Sequence, residues 1–271
     1  MFCSNRRFFL MAGVAAVLNA GAAMAQEDEA ARKARWQDLA NEIFGAQPLL
    51  DGTAKIVLEA PDRALDAALV PVSIRVQNPQ EVKSLYLIID DNPAPLAAHV
   101  SYGPAGDPQS LKLRVRVNDY TYMHAVEETQ DGALYETHRF VKASGGCSAP
   151  SGAYDEAALA QIGEMKLRLL GEPQTTGPAR EAQLLIRHPN FNGMQRDPQT
   201  QGYTPARFLK TVDIRLNGET VLHLDSDISL AADPAIGFAF KAQPNGKLAV
   251  EAKDSDAQTF KREFALTESR S

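Results

Sequence analysis

Along most of the chain, apolar and polar residues alternate one for one. Val70, Val72, Ile74 and Val76 interleave with Pro71, Ser73 and Arg75, and Leu111, Leu113, Val115 and Val117 with Lys112, Arg114 and Arg116. A period of two sends successive side chains to opposite faces, which predicts strands buried on one side and wet on the other. The three basic residues of the second run read as its solvated face. Residues 55–59, 84–89, 121–126 and 134–141 are further strand candidates, separated by Asn-Pro, Gly-Pro and Asp-Gly turn signals. The pattern resumes at 165–170 and 181–188. Val212, Ile214 and Leu216 then run into Asn217-Gly218 and a strand at 221–224, and Ile236, Phe238 and Phe240 run towards Asn245-Gly246 and a strand at 248–250. An Asn-Gly pair between alternating runs predicts a hairpin, because both central residues of a type I′ turn need positive φ. Two stretches depart from this period. Trp36, Leu39, Ile43 and Phe44 fall at helical spacing within 27–44, and 154–162 is a short Ala-rich segment with helical character. The expected fold is all-β, with two tandem immunoglobulin-like β-sandwich domains and a short N-terminal helix.

The first 26 residues, MFCSNRRFFLMAGVAAVLNAGAAMAQ, follow a different logic. Arg6-Arg7, an apolar run to Leu18 and a small-x-small site at Ala23-Met24-Ala25 have the layout of a cleaved export signal. The apolar run falls short of the roughly 20 residues that span a bilayer, so no membrane span is expected. The RR-x-F-L pattern resembles a twin-arginine signal, and an ordinary secretory signal with two arginines is the alternative. Cleavage after Ala25 changes the balance from 28 basic against 34 acidic residues to 26 against 34, a net charge of −8. Such an acidic chain is a poor partner for nucleic acid, whose phosphates call for clustered Lys and Arg.

Cleavage also removes Cys3 and leaves one cysteine, Cys147, so no internal disulfide is available. It lies in VKASGGCSAPSGA, where Ser144, Gly145, Gly146 and Ser148 offer almost no apolar area to bury it. Composition therefore predicts an exposed thiol on a flexible arm, able to stand up to about 20 Å from the preceding strand. A thiol on a leash suits a covalent carrier that presents cargo to other proteins. The domain plan is a signal over 1–25, a sandwich with its helix over 26–143, a flexible cysteine-bearing linker over 144–162, and a second sandwich over 163–271.

Enzyme signatures are missing. The sequence holds no G-x-G-x-x-G, P-loop, H-E-x-x-H, C-x-x-C-H or G-x-S-x-G motif. Its five histidines, His99, His124, His138, His188 and His223, are scattered along the chain with no close pair, and read as surface or structural groups. No catalytic residue, metal ligand or cofactor is assigned.

At this point the chain resembles a known family, the sulfur carriers of the Sox thiosulfate-oxidation system, with SoxY followed by SoxZ in one polypeptide. WQDLANEIFGAQPLLDG (36–52) and the strand entering Gly145-Gly146-Cys147 carry the SoxY likeness. IRHPNFNGMQRD (186–197) and IRLNGETVLHLDSDISLAADPAIGFAFKA (214–242) carry the SoxZ likeness. The resemblance implies two immunoglobulin-like domains paired in the periplasm and a non-catalytic protein. It also implies that Cys147 is where a sulfur substrate is attached, and that partner enzymes, including c-type cytochromes and hydrolases, act on it there. In the SoxZ-like half, the loop containing His188, Pro189, Gly193, Arg196 and Asp197 reads as an exposed docking turn. The two-chain carriers end in GGC and glycine, whereas here Ser148-Ala149-Pro150 follows and the chain continues, so the arm is tied at both ends. In this respect it looks like the fused carriers that accompany periplasmic quinoprotein dehydrogenases, which widens the range of expected cargo and partners.

Overall fold

A computed structural model describes residues 29–149, 156–170, 179–196, 202–241 and 246–266. The signal over 1–25, the middle of the expected linker (150–155), Asp197 and Asn245 lie outside the described residues. Residues 29–44 form the expected helix, α1, which belongs to a compact unit of its own; the strands from Pro48 onward form the other. No helix among the described residues is long and apolar enough to cross a membrane.

The first half contributes β1 (Leu49–Asp51), β2 (Ile56–Glu59), β3 (Val70–Val76), β4 (Val82–Ile89), β5 (Leu96–Tyr102), β6 (Gly106–Val115), β7 (Thr121–Thr129) and β8 (Leu134–Val141). After α2 (Glu156–Leu159) come β9 (Met165–Leu170), β10 (Ala179–Ile186), β11 (Leu209–Leu216), β12 (Glu219–Ser226), β13 (Ala235–Lys241), β14 (Lys247–Asp254) and β15 (Thr259–Ala265). The alternation does what period two requires: in β3 the four valine and isoleucine positions are buried, while Pro71 and Arg75 face water. At the β11–β12 hairpin Asn217 has φ 50° and Gly218 φ 92°, the backbone expected of an Asn-Gly turn.

The all-β, immunoglobulin-like expectation holds. The sequence does not reveal how the halves join. A nine-stranded sheet runs β1-β8-β7-β4-β5-β12-β11-β14-β15, and a six-stranded sheet runs β2-β3-β6-β13-β10-β9. Each sheet crosses from one half to the other, through β5–β12 and β6–β13 antiparallel pairs. An edge strand presents unpaired N–H and C=O groups, and pairing edge to edge satisfies them. One hydrophobic core extends through both halves, from Ile56 to Leu266. Gly103 and Gly106 let the backbones meet at this seam: a Cβ there would sit 2.4 Å from the Thr220 carbonyl oxygen and 2.2 Å from that of Val221. Hence the second half is placed to supply groups to a site that begins in the first.

Candidate functional site

Cys147 lies where the chain leaves β8 and folds back over the end of β6. The structure corrects the exposed-arm expectation, since Cys147 is 1% exposed. The physical reason is the glycines. Gly145, at φ 77°, turns the chain, and its N–H donates to the Asn118 carbonyl at 2.8 Å. Gly146 donates to the Val117 carbonyl at 2.9 Å and lies so close to the neighbouring backbone that a Cβ would stand 2.0 Å from the Ala67 oxygen. Glycine serves here for close approach. Beyond the cysteine, Ala149 N–H and the Ser148 hydroxyl both donate to the Gly145 carbonyl, closing a turn. Ser144 and Ser148 remain exposed on either side of the buried thiol.

Two side chains that sequence reasoning missed complete the socket. Arg116, expected on a solvated strand face, is only 1% exposed, and its Nη1 donates to the Gly146 carbonyl at 3.2 Å. Asn192, from the second half, donates through Nδ2 to the Cys147 carbonyl at 2.6 Å. Burial pushes the Cys147 thiol up to about 11, with the Arg116 cation pulling the other way. Burial likewise lowers the Arg116 pKa, against the attraction of Cys147 and Asp66. At neutral pH the pocket therefore holds a neutral thiol beside a buried cation. Such an arrangement is slow to react while closed and is suited to stabilising an anionic group borne by the sulfur.

The 188–196 loop supports this socket, which corrects the expectation of exposure at His188 and Pro189. His188, Pro189, Asn190, Asn192 and Gln195 are buried, Gly193 is half-buried, and only Arg196 among the described residues is exposed. Buried amides must find partners, and these do. Asn190, held at φ 43°, donates through Nδ2 to the Ala231 carbonyl at 3.0 Å and accepts from Leu209 N–H at 3.1 Å. Asn192 N–H donates to Gln195 Oε1, and Asn192 Oδ1 accepts from Met194 N–H, each at 3.0 Å. His188 Nε2 lies 3.5 Å from Asp254 Oδ2, which also takes the Arg207 Nε at 3.0 Å. Burial lowers the His188 pKa despite Asn190 and Asp254, which favours neutral imidazole. Across the seam Asn92 Nδ2 donates to both the Arg116 carbonyl (2.7 Å) and Ser229 Oγ (2.9 Å), tying the two halves together beside the thiol.

The histidines are less scattered than the sequence suggests. His124 and His138 are direct partners in the β7–β8 register, and Glu136 joins them in a group whose ligand atoms lie within 4.8 Å of one another.

Fold and site together define an immunoglobulin-like all-β protein whose two fused halves close around the Cys147 thiol. Residues 40–147 match the family described as sulfur oxidation protein SoxY, a match that ends on Cys147, and residues 167–265 match sulphur oxidation protein SoxZ. The chain belongs to the SoxY–SoxZ sulfur-oxidation carrier family, as a fusion of both members in one polypeptide. No curated protein matches it. Among solved structures, the sulfur carrier protein SoxY from Chlorobium limicola f thiosulfatophilum is 26% identical over 44% of this chain and 99% of its own, with a TM-score of 0.38. A superoxide reductase (neelaredoxin) from Ignicoccus hospitalis is 13% identical over 32% of this chain and 78% of its own, with a TM-score of 0.30.

Proposed function

We propose that the mature protein is a periplasmic covalent carrier, exported by its N-terminal signal, that holds a sulfur intermediate on Cys147. In this reading it presents that group to partner redox enzymes and hydrolases, c-type cytochromes among them. The observation that carries it is the position of Cys147: the one cysteine left after signal cleavage stands where the SoxY match ends and before the SoxZ match begins. The buried Arg116 supports an anionic cargo, because a cation kept out of water is stabilised by an anion beside it. Loading and unloading proceed from an opened form of the 144–149 loop, since the closed form offers little thiolate and no access.

Burial of the thiol also favours a second reading, an accessory module for a periplasmic quinoprotein dehydrogenase in which Cys147 has a structural role. Intact-protein mass spectrometry on material purified from the native periplasm without reductant separates the two. The carrier reading expects a defined, reductant-labile mass addition on the Cys147 peptide. A thiol that stays bare when thiosulfate and the partner enzymes are supplied refutes it and leaves the accessory module.

A further inference from the structure

β7 and β8 place three ligating side chains on one face of the nine-stranded sheet. His124 and His138 stand directly opposite, and Glu136, two residues before His138, shares its face. Glu136 Oε1 lies 2.6 Å from His124 Nδ1 and 3.1 Å from His138 Nδ1. On its far side His124 Nε2 lies 3.2 Å from Asp90 Oδ2, on a carboxylate that is itself buried. A neutral imidazole carries one N–H, and a carboxylate only accepts. An imidazolium at His124 can donate to both carboxylates. Once Nδ1 gives up its proton while Nε2–H serves Asp90, the Nδ1 lone pair, Glu136 Oε1 and His138 Nδ1 are three electron-pair donors around one place, where a metal cation can take the proton's part.

We propose that His124, Glu136 and His138 bind a divalent transition-metal ion of the zinc type, with Asp90 fixing the His124 ring so that Nδ1 faces the ion. A carboxylate behind a ligating histidine is the usual way such a ring is oriented and made more basic. Two imidazoles and one carboxylate suit zinc and its neighbours better than calcium or magnesium, which prefer all-oxygen shells. The fit needs shifts on the order of 1 Å: ligands about 2.1 Å from a tetrahedral ion stand about 3.4 Å apart, and the ligand atoms here all lie within 4.8 Å of one another. Side-chain exposure rises from 4% at His124 through 16% at Glu136 to 54% at His138. The cluster is therefore anchored at one end and open at the other, leaving a face for ion entry and for an exchangeable fourth ligand.

The test uses the untagged mature chain, stripped with chelator, and the Cys147→Ser variant in parallel so that no thiolate contributes. Zn2+ is titrated by calorimetry against a competing chelator, and Co2+ is added separately to read its visible d–d bands. One equivalent is expected to bind in both backgrounds, with cobalt bands and no sulfur-to-metal charge-transfer band. His138→Ala, at an exposed strand position, should weaken Zn2+ at least tenfold with an unchanged melting temperature, and Asp90→Asn should weaken it about 10- to 100-fold. His223→Ala, on β12, should leave affinity unchanged. The proposal is overturned if Zn2+ does not saturate at micromolar concentration. Equal affinity in the native chain, His138→Ala and Glu136→Gln overturns it too.

Discussion

The socket around Cys147 makes a quantitative claim about thiol reactivity. Four polar contacts hold the loop: Gly145 to Asn118, Gly146 to Val117, Arg116 to Gly146, and Asn192 to Cys147. At about 1 kcal/mol net for each hydrogen bond, opening costs about 4 kcal/mol, so the open form is populated at about one part in a thousand. A thiol at about 11 also supplies about a hundredfold less thiolate near neutral pH than one at its ordinary 9.0. The closed form is therefore nearly inert, and labelling proceeds through opening. Asn192→Ala removes one contact and leaves the Cys147 carbonyl without its partner, a loss of about 1–3 kcal/mol. Opening should rise about 5- to 150-fold. The assay is pseudo-first-order alkylation by iodoacetamide at pH 7.5, after reduction and removal of the reductant. Native protein, Asn192→Ala and the urea-unfolded chain are compared, with melting curves confirming that the variant is folded. Native labelling as fast as that of the unfolded chain refutes the buried socket. A folded Asn192→Ala variant labelling within twofold of native refutes the role given to Asn192.

Other consequences are simpler to state. Gly146→Ala drives a methyl into the Ala67 carbonyl and should expel the loop, giving alkylation near the unfolded rate. Gly106→Val meets the Val221 carbonyl at the seam, and urea denaturation should show a loss of at least about 2 kcal/mol, in the range of overpacked cores. The folded-state pKa of Cys147 is raised above its unfolded value, so the stability it contributes is fully present below about pH 9 and is lost as pH rises through about 11. Urea midpoints between pH 8 and 10.5 should fall less steeply in Cys147→Ala than in the native chain; parallel curves contradict the buried thiol.

The parts of the fold governed by strict alternation are legible in the sequence. β3 and β9 follow from period two, and the positive φ values at Asn217 and Gly218 follow from turn chemistry. β5 and β15 are not, for different reasons. β5 reads LAAHVSY, with small residues where bulk would mark a buried face. β15 is an edge strand with only Phe260 and Phe264 half-buried, so its sequence shows little hydrophobic period. The His124–His138 pair was latent in a turn signal. A hairpin centred on Asp131 pairs residues whose numbers are equidistant from 131, which places these two opposite each other. Scattered along the sequence, they meet only once that register is drawn.

The socket was hidden for a deeper reason. Small residues have two physical uses, to let a chain move and to let backbones approach, and composition alone does not distinguish them. At Gly146 the second use wins because the Ala67 and Val117 carbonyls already occupy the space. Arg116 departs from alternation for a related reason: it follows the last residue of β6, where the cysteine loop takes its guanidinium at Gly146 and Ser229 of the second half takes its backbone N–H. A cover contributed by a distant half leaves no trace in local pattern. Fusion makes that cover permanent, because the groups that close over Cys147 are tethered to it and meet it at an effective concentration on the order of millimolar or above. A terminal arm leaves its site by swinging free. A loop held at both ends opens by breaking contacts that include those to Asn118, Val117, Arg116 and Asn192, and because Asn192 comes from the second half, opening of this loop is coupled to the fit between the two halves.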